Sequence, residues 1–179
     1  MDTQNSLRDG LLTVVLPAYN EQDSVPLAAD TICPLLEKEG IRHEILFVND
    51  GSRDGTWKAI QAQTARHPQV RGVCFSRNFG KEAAIFAGLA QAKGDCAVVL
   101  DCDLQHPPEK IVEMYRLWQQ GYQVVEGVKV TRGKESPLHT LAAKTFYHFI
   151  SSATKIDMSR ASDFKLLERR AEDVLGAMR

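Results

Sequence analysis

Short apolar segments rich in β-branched residues recur along this chain, each followed by a stretch with helical periodicity. They cover residues 11–17, 43–50, 70–76, 95–101 and 122–128. A continuous apolar run of this length is typical of a strand that is covered on both faces. Because parallel strands need crossover connections, which are usually helices, the alternation predicts an α/β fold with a mostly parallel sheet flanked by helices.

The helical stretches between these segments cover residues 21–40, 54–67, 81–93 and 108–120. Ser24 and Pro26 are suited to open the first helix, and Gly40 to end it. Pro34 lies inside that helix and is expected to kink or split it. After a polar loop over residues 129–136, two further helices are predicted over residues 137–155 and 168–178.

Length and charge restrict the class of protein. The 179 residues suffice for one domain, and 22 Lys and Arg balance 23 Asp and Glu, so nucleic acid is not an expected partner. Four scattered cysteines are expected to be buried free thiols in a reducing compartment, and no histidine pattern indicates structural zinc. Residues 1–10 are polar and predicted to be disordered. No apolar run is long enough to span a bilayer, so the chain is expected to be soluble.

Acidic residues follow three of the predicted strands, where ligands of open α/β sheets bind. Asp101 and Asp103 are two residues apart, so on an extended segment both carboxylates would point the same way. With Gln105 and phosphate oxygens they would suit Mg²⁺ or Mn²⁺. The alternative for this motif is a solvated surface turn.

Two other loops allow both a structural and a functional interpretation. In NDGSRDGT, Asp54 could cap a helix after a tight turn, or Asp50 could contact a base or ribose with Gly51 permitting close approach. In SRNFGKEAA, Arg77 and Lys81 flank a glycine before a helix. Such a site attracts phosphate, although a solvated basic turn has the same sequence.

Five motifs, in order, resemble those of family 2 glycosyltransferases of the polyprenyl-phosphate type, which have the GT-A fold. They are VVLPAYNE, VNDGSRDGT, SRNFGKEAAIFAGLAQAKGD, VVLDCDLQHPPE and VVEGVKVTRGKES. The resemblance extends over about residues 11–175. It implies a GT-A catalytic domain over residues 11–179.

The resemblance also implies a role for individual residues. Asp101, Asp103 and Gln105 would hold the metal on the donor diphosphate. Asp103 would act in catalysis with Arg132, near the phosphates or the acceptor, and with Asp163, which would face the sugar or acceptor. The expected nucleotide-sugar-binding residues are Pro17, Tyr19, Glu21, Asp50, Lys81 and Asp101.

The implied reaction is an inverting sugar transfer from a nucleotide sugar to a polyprenyl phosphate, for cell-envelope glycans such as lipopolysaccharide. UDP-glucose is the first donor expected, and GDP-mannose or a modified UDP-sugar are the alternatives. The expected location is the cytoplasmic face of the plasma membrane. Contact with the membrane surface would come through a C-terminal region that relatives have and this chain lacks. The predicted helix over residues 137–155 either lies on that surface or packs on the sheet.

The chain departs from the family pattern at two positions. Asn49 stands where many relatives have aspartate, and Cys102 where they usually have alanine, which we interpret as neutral packing. Competing interpretations are a sugar nucleotidylyltransferase, disfavoured by PAYNEQDS after the first strand, and a non-catalytic nucleotide-binding domain. His106 is expected to be a loop residue beside the site. The sequence leaves open whether the chain forms a homo-oligomer.

Overall fold

The computed structural model describes residues 7–127 and 164–169, which contain a sheet of six strands and four helices. In chain order these elements are β1 (Leu12–Ala18), α1 (Ser24–Lys38), β2 (His43–Asn49), α2 (Thr56–Arg66), β3 (Val70–Cys74), α3 (Lys81–Gln91), β4 (Cys96–Val99), α4 (Glu109–Gln119), β5 (Val124–Glu126) and β6 (Lys165–Glu168).

The strands lie in the order β3-β2-β1-β4-β6-β5. The pairs β3–β2, β2–β1 and β1–β4 are parallel, whereas β6 runs antiparallel to both β4 and β5. The predicted mostly parallel sheet flanked by helices is therefore confirmed. The strand β6 was missed, and Glu168, predicted to start a helix, is instead the last residue of this strand.

The central strand β1 is buried along its whole length, as its continuous apolar sequence predicts. Leu12, Val14 and Leu16 face the core layer shared with α1 and α4, and Val15 faces the layer shared with α3. Burying an aliphatic side chain of this size contributes about 1.5–3 kcal/mol relative to its exposure to water. The two apolar layers fix the sheet between helices and thereby place the strand ends.

Helix α1 continues through Pro34, so of the two expected effects the split was wrong, and the kink stays a prediction. Pro34 lies on the exposed side of this helix. Proline removes the hydrogen bond to the carbonyl four residues earlier, which belongs here to the exposed residue Asp30. Water can reach that side of the helix, which reduces the cost of the missing bond.

A buried carboxylate ties together the amino-terminal ends of the strands. Glu44 is 6% exposed and accepts hydrogen bonds from Thr13 Oγ1 at 2.7 Å, the Lys93 backbone N–H at 2.6 Å and Arg71 at 2.8 Å. Burial alone would raise the pKa of Glu44, but these donors outweigh it and hold the pKa below its ordinary value. These bonds join the amino-terminal ends of β1, β2 and β3.

The N-terminal segment reaches the domain before residue 11. Gly10 is buried, and the Tyr115 hydroxyl donates to its carbonyl at 2.8 Å. The extent of disorder expected for residues 1–10, and the boundary at residue 11, stay predictions. Within the described part of the chain, no helix is both long and apolar enough to pass through a bilayer.

Candidate functional site

The carboxyl ends of β1, β2 and β4 and the start of α3 surround one cavity of about 330 Å³. Its position is the one expected for ligands of an open α/β sheet. The lining residues are Pro17, Ala18, Tyr19, Glu21, Asp50, Asn78, Gly80, Lys81, Ala84, Asp101, Cys102 and Asp103. Every nucleotide-sugar-binding residue suggested by the sequence is in this set, and so are both aspartates of the proposed metal site.

Asp101 and Asp103 reach the cavity from a turn and not from a strand. Strand β4 ends at Val99, and the Leu104 backbone N–H donates to the Asp101 carbonyl at 3.2 Å. Leu104 has φ 54°, a left-handed conformation that is uncommon for a branched residue. The expectation that strand alternation aligns the two carboxylates was therefore wrong, although both of them do line the same cavity.

Each of these carboxylates has a partner. Lys81 Nζ lies 2.7 Å from Asp101 Oδ1, with both side chains about one-third exposed. The side-chain amide of Gln105 donates to Asp103 Oδ2 at 2.7 Å, and its backbone N–H donates to Oδ1 at 3.3 Å. Gln105 thus orients Asp103 and is not among the residues that line the cavity. Its role as a metal ligand stays a prediction.

The carboxylate oxygens in the cavity fit a hard divalent cation that takes only some of its ligands from the protein. Asp101 and Asp103 supply carboxylate oxygens to one cavity wall. Within residues 7–127 and 164–169, no three His, Cys, Asp or Glu side chains are grouped so as to hold a metal ion. One or two carboxylates completed by water and substrate phosphates is the ligand set that Mg²⁺ usually takes in proteins.

Asp50 holds the loop that forms one side of the cavity. Its carboxylate is buried and accepts the backbone N–H groups of Phe79 at 2.7 Å and of Gly80 at 2.9 Å. Gly51 has φ 63°, and a Cβ there would lie 2.2 Å from the carbonyl carbon of Arg77. The close approach that Gly51 permits is therefore to this loop. At the start of α3 the Asp50 carboxylate thus accepts two backbone N–H groups that could otherwise bind phosphate.

The loops after β1 and β2 brace each other. Asn20 has φ 57°, its N–H donates to Ser52 Oγ at 3.0 Å, and its side-chain oxygen accepts the Arg53 N–H at 3.0 Å. The Glu21 backbone N–H donates to Thr56 Oγ1 at 2.8 Å, and its carboxylate accepts the Ser24 hydroxyl. Asn tolerates the left-handed region better than most residues. These bonds fix Glu21 at the cavity wall.

The SRNFGK loop contributes a residue that the sequence analysis missed. Asn78 lines the cavity, whereas Arg77 is exposed and lies 4.8 Å above the ring of Phe79. The sequence did indicate this position, because Asn78 lies between Arg77 and Lys81, the two residues considered for their charge.

Four other residues considered in the sequence analysis have contacts that are structural. Asn49 is buried, and its side-chain oxygen accepts the Ser52 N–H at 3.2 Å. Cys102 is buried in the core, and burial and then nearby carboxylates raise the pKa of its thiol. The ring of His106 stacks on Phe164 with centroids 4.9 Å apart. Asp54 accepts the Thr56 N–H at 3.0 Å, just before α2.

The two remaining catalytic predictions, Arg132 and Asp163, lie outside the described residues. So do the predicted helix over residues 137–155 and nearly all of the one predicted over residues 168–178. Their roles stay predictions. The residues that the structure does place together are those predicted to bind the nucleotide sugar, with the two aspartates of the predicted metal site.

Comparison with known proteins identifies the same family as the motifs. The model described as glycosyl transferase family 2 matches residues 13–173. The chain is 37% identical over 162 residues to an uncharacterized glycosyltransferase of Bacillus subtilis, covering 90% of this chain and 50% of that protein. It is 37% identical over 160 residues to the bactoprenol glucosyl transferase of Shigella phage SfV, covering 88% and 52%. The chain thus spans about half the length of these curated relatives.

A solved structure of similar fold is the mannosyltransferase of Pyrobaculum calidifontis in complex with GDP-Man and Mn²⁺. It matches with a TM-score of 0.64 and 21% identity, over 94% of this chain and 47% of that one. The GT-A type of fold predicted from the motifs is thereby confirmed.

Proposed function

The chain belongs to glycosyl transferase family 2, and from this membership we propose that it is the donor-binding and catalytic part of a metal-dependent enzyme. This enzyme moves a hexosyl group from a nucleotide sugar to a polyprenyl phosphate and inverts the anomeric configuration. The observation that carries the proposal is the convergence of Asp101, Asp103, Lys81 and Tyr19 on one cavity at the carboxyl edge of the sheet.

The cavity offers one surface to the base or ribose of the donor and another to its diphosphate. Tyr19, which is 43% exposed, and Pro17 offer apolar surface to a base or ribose. Asp101 and Asp103 would hold Mg²⁺ or Mn²⁺ against the diphosphate. When bound, such a cation stabilises the charge that builds up on a leaving diphosphate. The 2.7 Å hydrogen bond from the Gln105 amide holds the orientation of the Asp103 carboxylate.

The transfer step needs little acid–base chemistry from the protein. An oxygen of the acceptor phosphate forms a bond to the anomeric carbon as the bond from that carbon to the diphosphate oxygen breaks. The nucleoside diphosphate leaves with the bonding electron pair. A phosphate monoester with a second pKa of about 6 is already ionised at neutral pH, so no side chain has to remove a proton. Lys81, on the cavity wall, would screen the anionic groups.

The acceptor assignment rests on the relatives. A polyprenyl phosphate is proposed because a bactoprenol glucosyl transferase is 37% identical to this chain over 160 residues. The reaction would then take place at a membrane surface, on its cytoplasmic side, where nucleotide sugars are found. Arg132, near the phosphates or the acceptor, and Asp163, facing the sugar or the acceptor, are retained as proposed catalytic residues.

Calorimetric titration with UDP and then GDP, each with and without Mn²⁺, tests the donor site. We expect one nucleotide to bind in a metal-dependent way, and we expect Asp103→Ala to abolish that binding. Asp9→Ala is the matched control, because Asp9 is 78% exposed and is not part of the cavity. Equal binding by the wild type and Asp103→Ala would refute the metal site.

The same titration decides between two donors. UDP-glucose is proposed first, since the bacteriophage relative is named for glucosyl transfer. GDP-mannose is the second candidate, since the mannosyltransferase of similar fold is in complex with GDP-Man. Binding of a nucleotide without turnover of the matching sugar nucleotide, given a polyprenyl phosphate, would instead favour a non-catalytic nucleotide-binding domain.

A further inference from the structure

Lys81 and Asp101 form an ion pair inside the cavity. The distance from Nζ to Oδ1 is 2.7 Å, which is that of a charge-assisted hydrogen bond. Asp101 is one of the two carboxylates that the proposed function assigns to the metal. The ammonium group therefore already neutralises an oxygen that a divalent cation would need.

The position of Lys81 in α3 makes a purely stabilising role a poor explanation. Lys81 is the first residue of α3, where the positive end of the helix dipole disfavours a cation. The pair is also about one-third exposed, and such pairs contribute little to stability. A lysine placed against the dipole in a ligand cavity is better explained by what it binds there.

Lys81 shares the cavity wall with Asp101, and under the proposed function it would also face the donor diphosphate. When the cavity is empty, Asp101 is the anion at hand. When a diphosphate and a divalent cation enter, the cation takes the carboxylate and the phosphates become the nearest negative charge. A lysine side chain is a flexible four-carbon stem with a compact charge, so it can change partner without movement of α3.

We propose that Lys81 is a positioning residue that exchanges Asp101 for the donor diphosphate when metal and nucleotide bind together. This inference rests on the proposed function. It has a thermodynamic consequence: in the absence of nucleotide the metal must displace the ammonium group and binds weakly. The nucleotide relieves that competition, so each ligand strengthens binding of the other by the same factor.

The test compares Mn²⁺ binding, with and without saturating UDP or GDP, in the wild type, Lys81→Met and Lys81→Arg. The signal of free Mn²⁺ in electron paramagnetic resonance reports binding without any turnover. For Lys81→Met we expect Mn²⁺ alone to bind about fivefold tighter, which corresponds to about 1 kcal/mol. We expect the nucleotide to bind more weakly in the presence of Mn²⁺. Lys81→Arg keeps the charge that competes for the carboxylate, so Mn²⁺ alone should bind this variant more weakly than Lys81→Met.

Lys110→Met is the matched control, because Lys110 pairs with Glu113 at 2.7 Å on the exposed surface of α4. It should change neither affinity. Unchanged or weaker binding of Mn²⁺ alone by folded Lys81→Met would overturn the inference, even if the nucleotide bound normally. If neither UDP nor GDP binds the wild type with Mn²⁺, the proposed function fails, whereas a tighter Mn²⁺ affinity of Lys81→Met would still show that Lys81 competes for the carboxylate.

Discussion

Replacing Asp50 with asparagine tests how the loop over residues 77–80 is held beside the cavity. The carboxylate of Asp50 is buried and accepts two backbone N–H groups, at 2.7 Å from Phe79 and 2.9 Å from Gly80. Asparagine keeps one acceptor oxygen, but its NH₂ group replaces the other oxygen. Two hydrogen-bond donors then face each other at the second backbone N–H. A hydrogen bond to a charged group contributes about 1.5–3 kcal/mol, and a buried unpaired donor costs about 1–3 kcal/mol. We expect the free energy of unfolding to fall by about 2–4 kcal/mol.

Urea unfolding followed by circular dichroism measures this loss, which should appear as a lower midpoint with an unchanged slope. Asp54→Asn is the control, because Asp54 also accepts a backbone N–H, from Thr56 at 3.0 Å, but is exposed. It should lose much less. Equal losses in the two variants would refute the argument. A stable Asp50→Asn that binds nucleotide poorly would instead support the direct nucleotide contact suggested by the sequence.

Three further predictions follow from burial and backbone geometry. Gly51→Ala should lower the melting temperature more than Gly40→Ala: both positions have positive φ, but only the Cβ at Gly51 meets backbone within 3 Å. Because the folded pKa of Glu44 is lowered, its stabilisation is present above its unfolded pKa and lost as pH falls through the folded one. Glu44→Gln should therefore flatten the fall of the urea midpoint in acid, below about pH 5. A thiol reagent should modify the exposed Cys74 in the native protein, whereas Cys102, buried and with a raised pKa, should react only after unfolding.

Strand β1 shows how local composition predicts a buried strand. Apart from Thr13 it is apolar, because helices cover both of its faces, and that run is visible without any knowledge of its partners. Strand β6 has four residues, and its ends are the charged Lys165 and Glu168. It is a strand because it pairs with β4 and β5 from a distant part of the chain. No local pattern carries that information.

The site shows the same division between local and distant causes. The strand-end rule was enough to bring Asp50, Asp101 and Asp103 to one cavity. It could not assign their partners. The bond from Phe79 to Asp50 joins residues 29 positions apart, and the pair of Lys81 with Asp101 depends on how α3 packs beside β1. For Asp50 the sequence suggested contact with a nucleotide, and the structure adds the task of holding a loop.

The charges around the cavity bear on why the donor should need a metal. Glu21, Asp50, Asp101 and Asp103 line it, and among the described lining residues Lys81 is the one cation. Each of these carboxylates has a protein donor. Asp50 accepts backbone N–H groups, Glu21 the Ser24 hydroxyl, Asp103 the Gln105 amide, and Asp101 pairs with Lys81. Even so, a diphosphate would enter a field of its own sign, and like charges at such short range repel by more than a kcal/mol. Under the proposed function, a divalent cation on Asp101 and Asp103 would reverse that balance and would release Lys81 to the phosphates. Removal of metal should therefore weaken nucleotide binding itself and not merely slow transfer.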